Sequence, residues 1–190
     1  TRDRRQRQMC IRDRGYAALN VNTTGDVNTA VGANALDANT TGSSNTAVGK
    51  DALGVNTTAS DSTAVGRGAL QSNLGASNTG VGAYALQQNT TGTQNVAIGR
   101  QALDANTTAD NNTAIGYAAL LANTTAYSNT AIGSLAGKSI TTGRENVAIG
   151  YNCFQANTEG KENVIIGQNA GYSNTDADEN VFVGQSAGYT

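Results

Sequence analysis

Small apolar and polar residues recur along this chain with a long, fixed period. From Asn28 onward the order Asn-Thr-Ala-Val-Gly-x-x-Ala-Leu-x-x-Asn-Thr-Thr-Gly-x-x returns again and again. Units begin at Asn28, Asn45, Ser62, Asn78, Asn95, Asn112, Asn129, Asn146, Asn163 and Asn180. The spacing is 17 residues except in the Ser62 unit, which is 16 and has lost a residue near Asn73-Leu74-Gly75. A partial unit, Gly15 to Val27, comes first, and the last unit stops at Thr190, eleven residues in. The repeat region, residues 15–190, is therefore expected to be truncated at both ends. Self-similarity of this kind predicts a solenoid, in which each unit buries its apolar side only by stacking on its neighbours.

Each repeat position has a physical reading. Position five is always glycine: Gly15, Gly32, Gly49, Gly66, Gly82, Gly99, Gly116, Gly133, Gly150, Gly167 and Gly184. Such a column predicts a turn with positive φ or a contact that leaves no room for Cβ. Position two is Thr or Val, position eight is Ala except at Cys153, and position nine is mostly Leu. Positions one to five read as a short strand closed by a turn. Strand side chains alternate, so positions two and four share one face. On this reading the β-branched residues at position four form one buried structural column: Val31, Val48, Val65, Val81, Ile98, Ile115, Ile132, Ile149, Ile166 and Val183.

A helical repeat is the main competitor, and it fails on two counts. Asn-Thr-Thr-Gly and the fixed glycine would interrupt any helix, and helical repeat units are longer, roughly 33–47 residues. The expected fold is therefore all-β, a parallel β-solenoid of about ten 17-residue coils. At about 4.8 Å per rung it would be roughly 50 Å long. Asparagines at positions one and twelve would stack into amide ladders, and threonines at positions thirteen and fourteen would line a turn edge.

Position three should point away from positions two and four. It is Ala30, Ala47, Ala64, Ala97, Ala114, Ala131 and Ala148, with Gly80, Ile165 and Phe182 in the other three units. A face open to water should be polar. An apolar column on both faces predicts that the second face is covered, most simply by another copy of the chain; a single chain folding over itself is the alternative.

Composition supports a backbone-driven fold. The 190 residues include 23 glycines but no proline, tryptophan or histidine, and two phenylalanines. A chain this poor in large apolar residues is either disordered or held by a regular ladder, and the strict period favours the ladder. The net charge is −2, but residues 1–14 carry six arginines and two aspartates. Without them six basic residues face twelve acidic ones, a net −6, which disfavours nucleic acid as a partner. No apolar run is long enough to span a membrane. Cys10 and Cys153 form no disulfide framework.

The string Asn95-Val96-Ala97-Ile98-Gly99, repeated at 146–150, resembles the head repeat of trimeric autotransporter adhesins, the YadA-like or Hep/Hag repeats. Longer stretches such as Thr46-Ala47-Val48-Gly49-Lys50-Asp51-Ala52-Leu53, with a trailing Asn-Thr-Thr, are similar to repeats of phage tail fibres. The resemblance covers residues 15–190, although the unit here is longer than the usual adhesin head unit. It implies a left-handed β-roll with three chains side by side, hence a homotrimer, and an extracellular, cell-surface or virion location. It also implies a rigid structural fibre segment, with a receptor or surface glycan as a further partner. Residues 1–14 lie outside the pattern: Arg7-Gln8-Met9-Cys10-Ile11-Arg12-Asp13-Arg14 resembles a translated sequencing adapter. The alternative for them is a basic anchoring arm.

Candidate chemistry is sparse. Without histidine there is no ready general base or imidazole metal ligand. Asp37, Asp51, Asp61 and Asp104 sit singly at variable positions, and acid-only glycan cleavage would need a paired set in a groove. The expectation is a chain without catalytic residues, cofactor or metal. Asp176, Asp178 and Glu179 form the densest acidic group and read as an exposed turn rather than a calcium site. Cys153 reads as a small buried hydrophobe. Asn22, Asn39, Asn56, Asn89, Asn106 and Asn123 satisfy the N-glycosylation sequon through Asn-Thr-Thr, and Asn111 does so through Thr113. Ladder and turn duty is the competing role of these asparagines. Glycan binding or ice binding on a flat ladder face is the alternative function.

Overall fold

The structure, a computed structural model, describes residues 12–189. Eleven three-residue strands form one parallel sheet in strict sequence order. They are β1 (Arg12–Arg14), β2 (Thr29–Val31), β3 (Thr46–Val48), β4 (Thr63–Val65), β5 (Thr79–Val81), β6 (Val96–Ile98), β7 (Thr113–Ile115), β8 (Thr130–Ile132), β9 (Val147–Ile149), β10 (Val164–Ile166) and β11 (Val181–Val183). The chain is a parallel β-solenoid. Each strand occupies positions two to four of its unit, and equivalent residues pair across coils, as Thr113 does with Thr130. The short coil keeps this register, because Thr63 pairs with Thr79. The ladder also includes Arg12–Arg14 opposite Thr29–Val31, so backbone pairing extends into the amino-terminal segment read as foreign to the repeat. Residues 1–11 of that segment lie outside the described residues.

Hydrogen bonding between coils continues well beyond the strands. At position nine Leu36 N–H donates to the Ala52 carbonyl of the next coil, and at position thirteen Thr40 N–H donates to Thr57. At positions five, seven and seventeen the direction reverses: Gly49 donates back to Val31, Asp51 to Ala33, and Ser44 to Asp26. Pairing of backbone groups around the coil lets so polar a sequence close on itself, since buried unpaired amides are costly.

Three positions per coil take positive φ, in most coils with a non-glycine residue. Position seven does so at Asn34, φ 56°, position nine at Leu36, φ 50°, and position seventeen at Ser44, φ 59°. A leucine in this region is strained. It is held there because its side chain is buried in the column Leu36, Leu53, Leu70, Leu86, Leu103 and Leu120. The position-five glycines are more demanding. Gly66 has φ 134°, and a Cβ on it would stand 2.6 Å from the Gly82 carbonyl oxygen. Positive φ and close backbone approach therefore act together at this turn.

The interior is the reverse of the sequence expectation at the strand. The position-three alanines Ala30, Ala47, Ala64, Ala97, Ala114 and Ala131 are fully buried. The position-four residues face outward, with Val31 at 38% and Ile98 at 40% exposure. Val65, Ile132 and Val183 are also exposed, and Val48, Val81, Ile115, Ile149 and Ile166 are half-buried. The cause is steric. The space behind the strand is filled by the position-nine leucine from the far wall. At Gly80 even a Cβ would approach Leu70 Cγ to 3.1 Å, so only alanine or glycine fits opposite leucine.

Exceptions to that rule compensate in pairs. Ile165 replaces alanine at position three, and its coil carries Gly171 at position nine; a Cβ there would lie 3.1 Å from Ile165 Cγ2. Phe182 is matched by Gly188 in the same way. In the coil with Gly137 the space is filled instead by Ile140 at position twelve, whose Cδ1 would lie 3.0 Å from a Cβ on Gly137. Ile140 thereby interrupts the asparagine column at position twelve.

Candidate interaction faces

Asparagines at positions one and twelve point into the coil and hold it shut. In the Asn45 unit the amides of Asn45 and Asn56 both donate to the Ala59 carbonyl, at 2.8 and 3.0 Å. Successive position-one residues are tied along the axis: Asn112 N–H donates to Asn95 Oδ1 at 2.9 Å, and Asn129 N–H to Asn112 Oδ1 at 2.9 Å. Position twelve forms a second ladder, with Asn106 Nδ2 donating to Asn89 Oδ1 at 2.7 Å.

That duty overturns the glycan-attachment reading of the Asn-Thr-Thr sequons. Asn39, Asn56, Asn89, Asn106 and Asn123 are fully buried, and each donates its amide nitrogen to a carbonyl of its own coil. Asn22 is half-buried, and its Nδ2 donates to the Gly25 carbonyl at 2.9 Å. Asn111 is exposed, at the corner formed by position seventeen. The threonine edge is likewise occupied: the hydroxyls of Thr23, Thr40, Thr90 and Thr107 donate to the threonine carbonyl of the next coil. Those hydroxyls tie coils together and are not free to organise water.

The outer strand face is different. It presents two β-branched columns along the axis. One is Thr29, Thr46, Thr63, Thr79, Val96, Thr113, Thr130, Val147, Val164 and Val181; the other is the position-four Val and Ile series. The inward alanines take no part in this face, which corrects the expectation that the alanine column lies between subunits. The outer face belongs to positions two and four: an apolar Val and Ile column at position four runs beside a column that is threonine in six coils and valine in four.

The titratable groups are dispersed. Burial raises the carboxyl pKa of Asp104, partly offset by a hydrogen bond from Gln101. Burial, with a smaller contribution from Asp51, also raises that of Asp37. Cys153 is buried; its thiol donates to the Ile165 carbonyl at 3.1 Å, and burial pushes its pKa up to about 11. The acidic turn is exposed at Asp176, Asp178 and Glu179, with Asp178 paired to Lys161 at 3.7 Å. Among the described residues, no three acidic or thiol groups gather as a metal-binding set, and no helix is long and apolar enough to cross a membrane.

Sequence reasoning missed the corner at positions six and seven, because its residue types vary from coil to coil. Toward the amino-terminal side the corner is charged, with Lys50 beside Asp51 at 3.6 Å and Arg67 over the Tyr84 ring at 4.7 Å. From Tyr117 onward it carries no charge: Tyr117, Ser134, Tyr151, Gln168 and Gln185 occupy position six. No family model matches this chain, and no curated protein or solved structure is significantly similar to it.

Proposed function

We propose that this chain is a segment of an extracellular structural fibre, a rigid spacer of the tail-fibre, adhesin or surface-filament kind without catalytic activity, in which copies pack through the outer strand face. The observation that carries this reading is the pair of β-branched columns at positions two and four. A sheet face in permanent contact with water should be polar throughout, whereas here position four is Val or Ile in every coil from β2 to β11, and Ile98 and Val31 are 40% and 38% exposed in the single chain. Covering the remaining apolar area is worth on the order of 0.5–1 kcal/mol per rung, and the gain repeats along the rod as in any nearest-neighbour array. A trimer is the proposed stoichiometry, by analogy with the adhesin heads that the repeat resembles. Sedimentation equilibrium on the chain, alone and with Ile115→Lys and Ile132→Lys, tests the reading. Association of the parent and its loss in the variant are expected; a stable folded monomer that the lysines leave unchanged would refute it.

A second reading uses the same face. The threonines at position two stand at rung spacing beside the Val and Ile column, a regular array suited to ordering water as ice. Thermal hysteresis from a monomeric chain, abolished by Thr113→Lys, would favour this reading over the packed fibre.

A further inference from the structure

The neutral half of the corner at positions six and seven has the dimensions of a carbohydrate track. Tyr117 and Tyr151 occupy the same position two coils apart and are 48% and 50% exposed. Their place in one column is fixed by the backbone. Leu135 N–H donates to the Tyr117 carbonyl at 2.9 Å, Asn152 to Ser134 at 3.0 Å, and Asn169 to Tyr151 at 2.9 Å. Two rungs of a parallel ladder separate the backbones of the two tyrosines by about 9.6 Å along the axis, close to the length of two sugars in an extended β-1,4-linked chain. The small Ser134 between them leaves the path open. Gln168 is exposed on the same edge, offering an amide for hydroxyl groups.

We propose that Tyr117 and Tyr151 form a two-point stacking platform for a neutral β-1,4-linked polysaccharide lying along the solenoid axis. Phenol rings give a broad apolar face with a polar tip, which suits the C–H face of a hexopyranose ringed by hydroxyls. The lack of charge at position six from Tyr117 to Gln185 fits an uncharged polymer and not an acidic one. Lys50, Arg67 and Arg100 occupy the corresponding positions on the other half of the rod, so the track is local to this stretch. The platform lies beyond the glycine turn from the outer strand face, so it is tested apart from association.

Retention of the full chain on cellulose and on chitin, with titration calorimetry against cellohexaose and chitohexaose, tests the platform and identifies which sugar it takes. Tyr117→Ala and Tyr151→Ala should each weaken binding several-fold to tenfold at unchanged melting temperature. Tyr127→Ala, at an exposed tyrosine on position sixteen, should have no effect. The paired exchange Ser134→Tyr with Tyr151→Ser keeps composition but sets the rings one rung apart, and it should bind as weakly as a single-tyrosine variant. Failure of the folded parent chain to bind either polymer would overturn the proposal. So would an equal loss from Tyr127→Ala, or full binding by the exchanged variant. The sedimentation result is scored separately, so failure here leaves the fibre reading standing.

Discussion

Asn95 and Asn106, eleven residues apart in one coil, donate their side-chain amides to a single carbonyl oxygen, that of Ala109, at 2.7 and 3.1 Å. The shared acceptor pins two walls of the coil to its third corner. Asn95 Oδ1 meanwhile accepts from the backbone of Asn112 in the next coil. Replacing Asn95 by alanine strips a donor from the carbonyl and an acceptor from a buried N–H. Such groups cost about 1–3 kcal/mol when left unpaired. A clear drop in the thermal midpoint is expected, whereas Thr108→Ala, at an exposed turn threonine, should change it little.

The glycine column should be sensitive by location. Gly99→Ala would drive a methyl group into the Gly116 carbonyl and also force alanine to φ 136°. Gly184→Ala meets no atom within 4 Å, although its φ of 127° is equally unsuitable. Circular dichroism melts should show severe loss for the first and a milder effect for the second.

Adjacent strand positions should separate folding from association. Ala114→Lys places an ammonium in the closed interior and should prevent folding of the central coils, because an unpaired buried charge is costly. Ile115→Lys points outward and should leave the β-sheet spectrum intact. The opposite pattern would mean that the strand faces are inverted.

Asp104 gives a pH test. Burial raises its folded-state pKa above the ordinary value of 3.8, so the folded chain holds its proton more tightly than the unfolded chain. Stability from this group is therefore greatest below 3.8 and falls as pH rises through the raised folded value. Asp104→Asn should melt higher than the parent at neutral pH, with the difference shrinking toward pH 3.

Cys153 should resist thiol reagents in the folded chain. Its thiol is buried and its pKa is about 11, and the reactive species is the thiolate. Mass mapping after brief alkylation should find Cys153 unmodified at neutral pH and fully labelled in denaturant. Rapid native labelling would contradict its burial.

The coil length, the strand at positions two to four and the turn at Gly32 and its equivalents could all be read from the period alone, because a repeated backbone ladder forces repeated chemistry. The facing of the strand could not be read from hydrophobicity. Side-chain size alone puts Val31 inside. The interior opposite Leu36 is too narrow for it, so Ala30 went in and Val31 out. A subtler signal was present all the same: Ile165 and Phe182, the bulky residues at position three, occur in units with Gly171 and Gly188 at position nine. That reciprocity marks the two positions as neighbours. The Asn-Thr-Thr sequons misled because a triplet of residues does not reveal that Asn39 turns its amide toward Gly42.

The 16-residue coil lacks only a residue at the outer corner after Leu74, yet Thr63 still meets Thr79 and the sheet continues. The same bonds at the same positions join each coil to the next, so adding or removing a whole 17-residue stretch of gene would leave the joints equivalent. Unequal recombination within such a gene can lengthen or shorten the rod in steps of about 4.8 Å. A lineage carrying it could thus adjust reach in evolution without redesigning the backbone ladder.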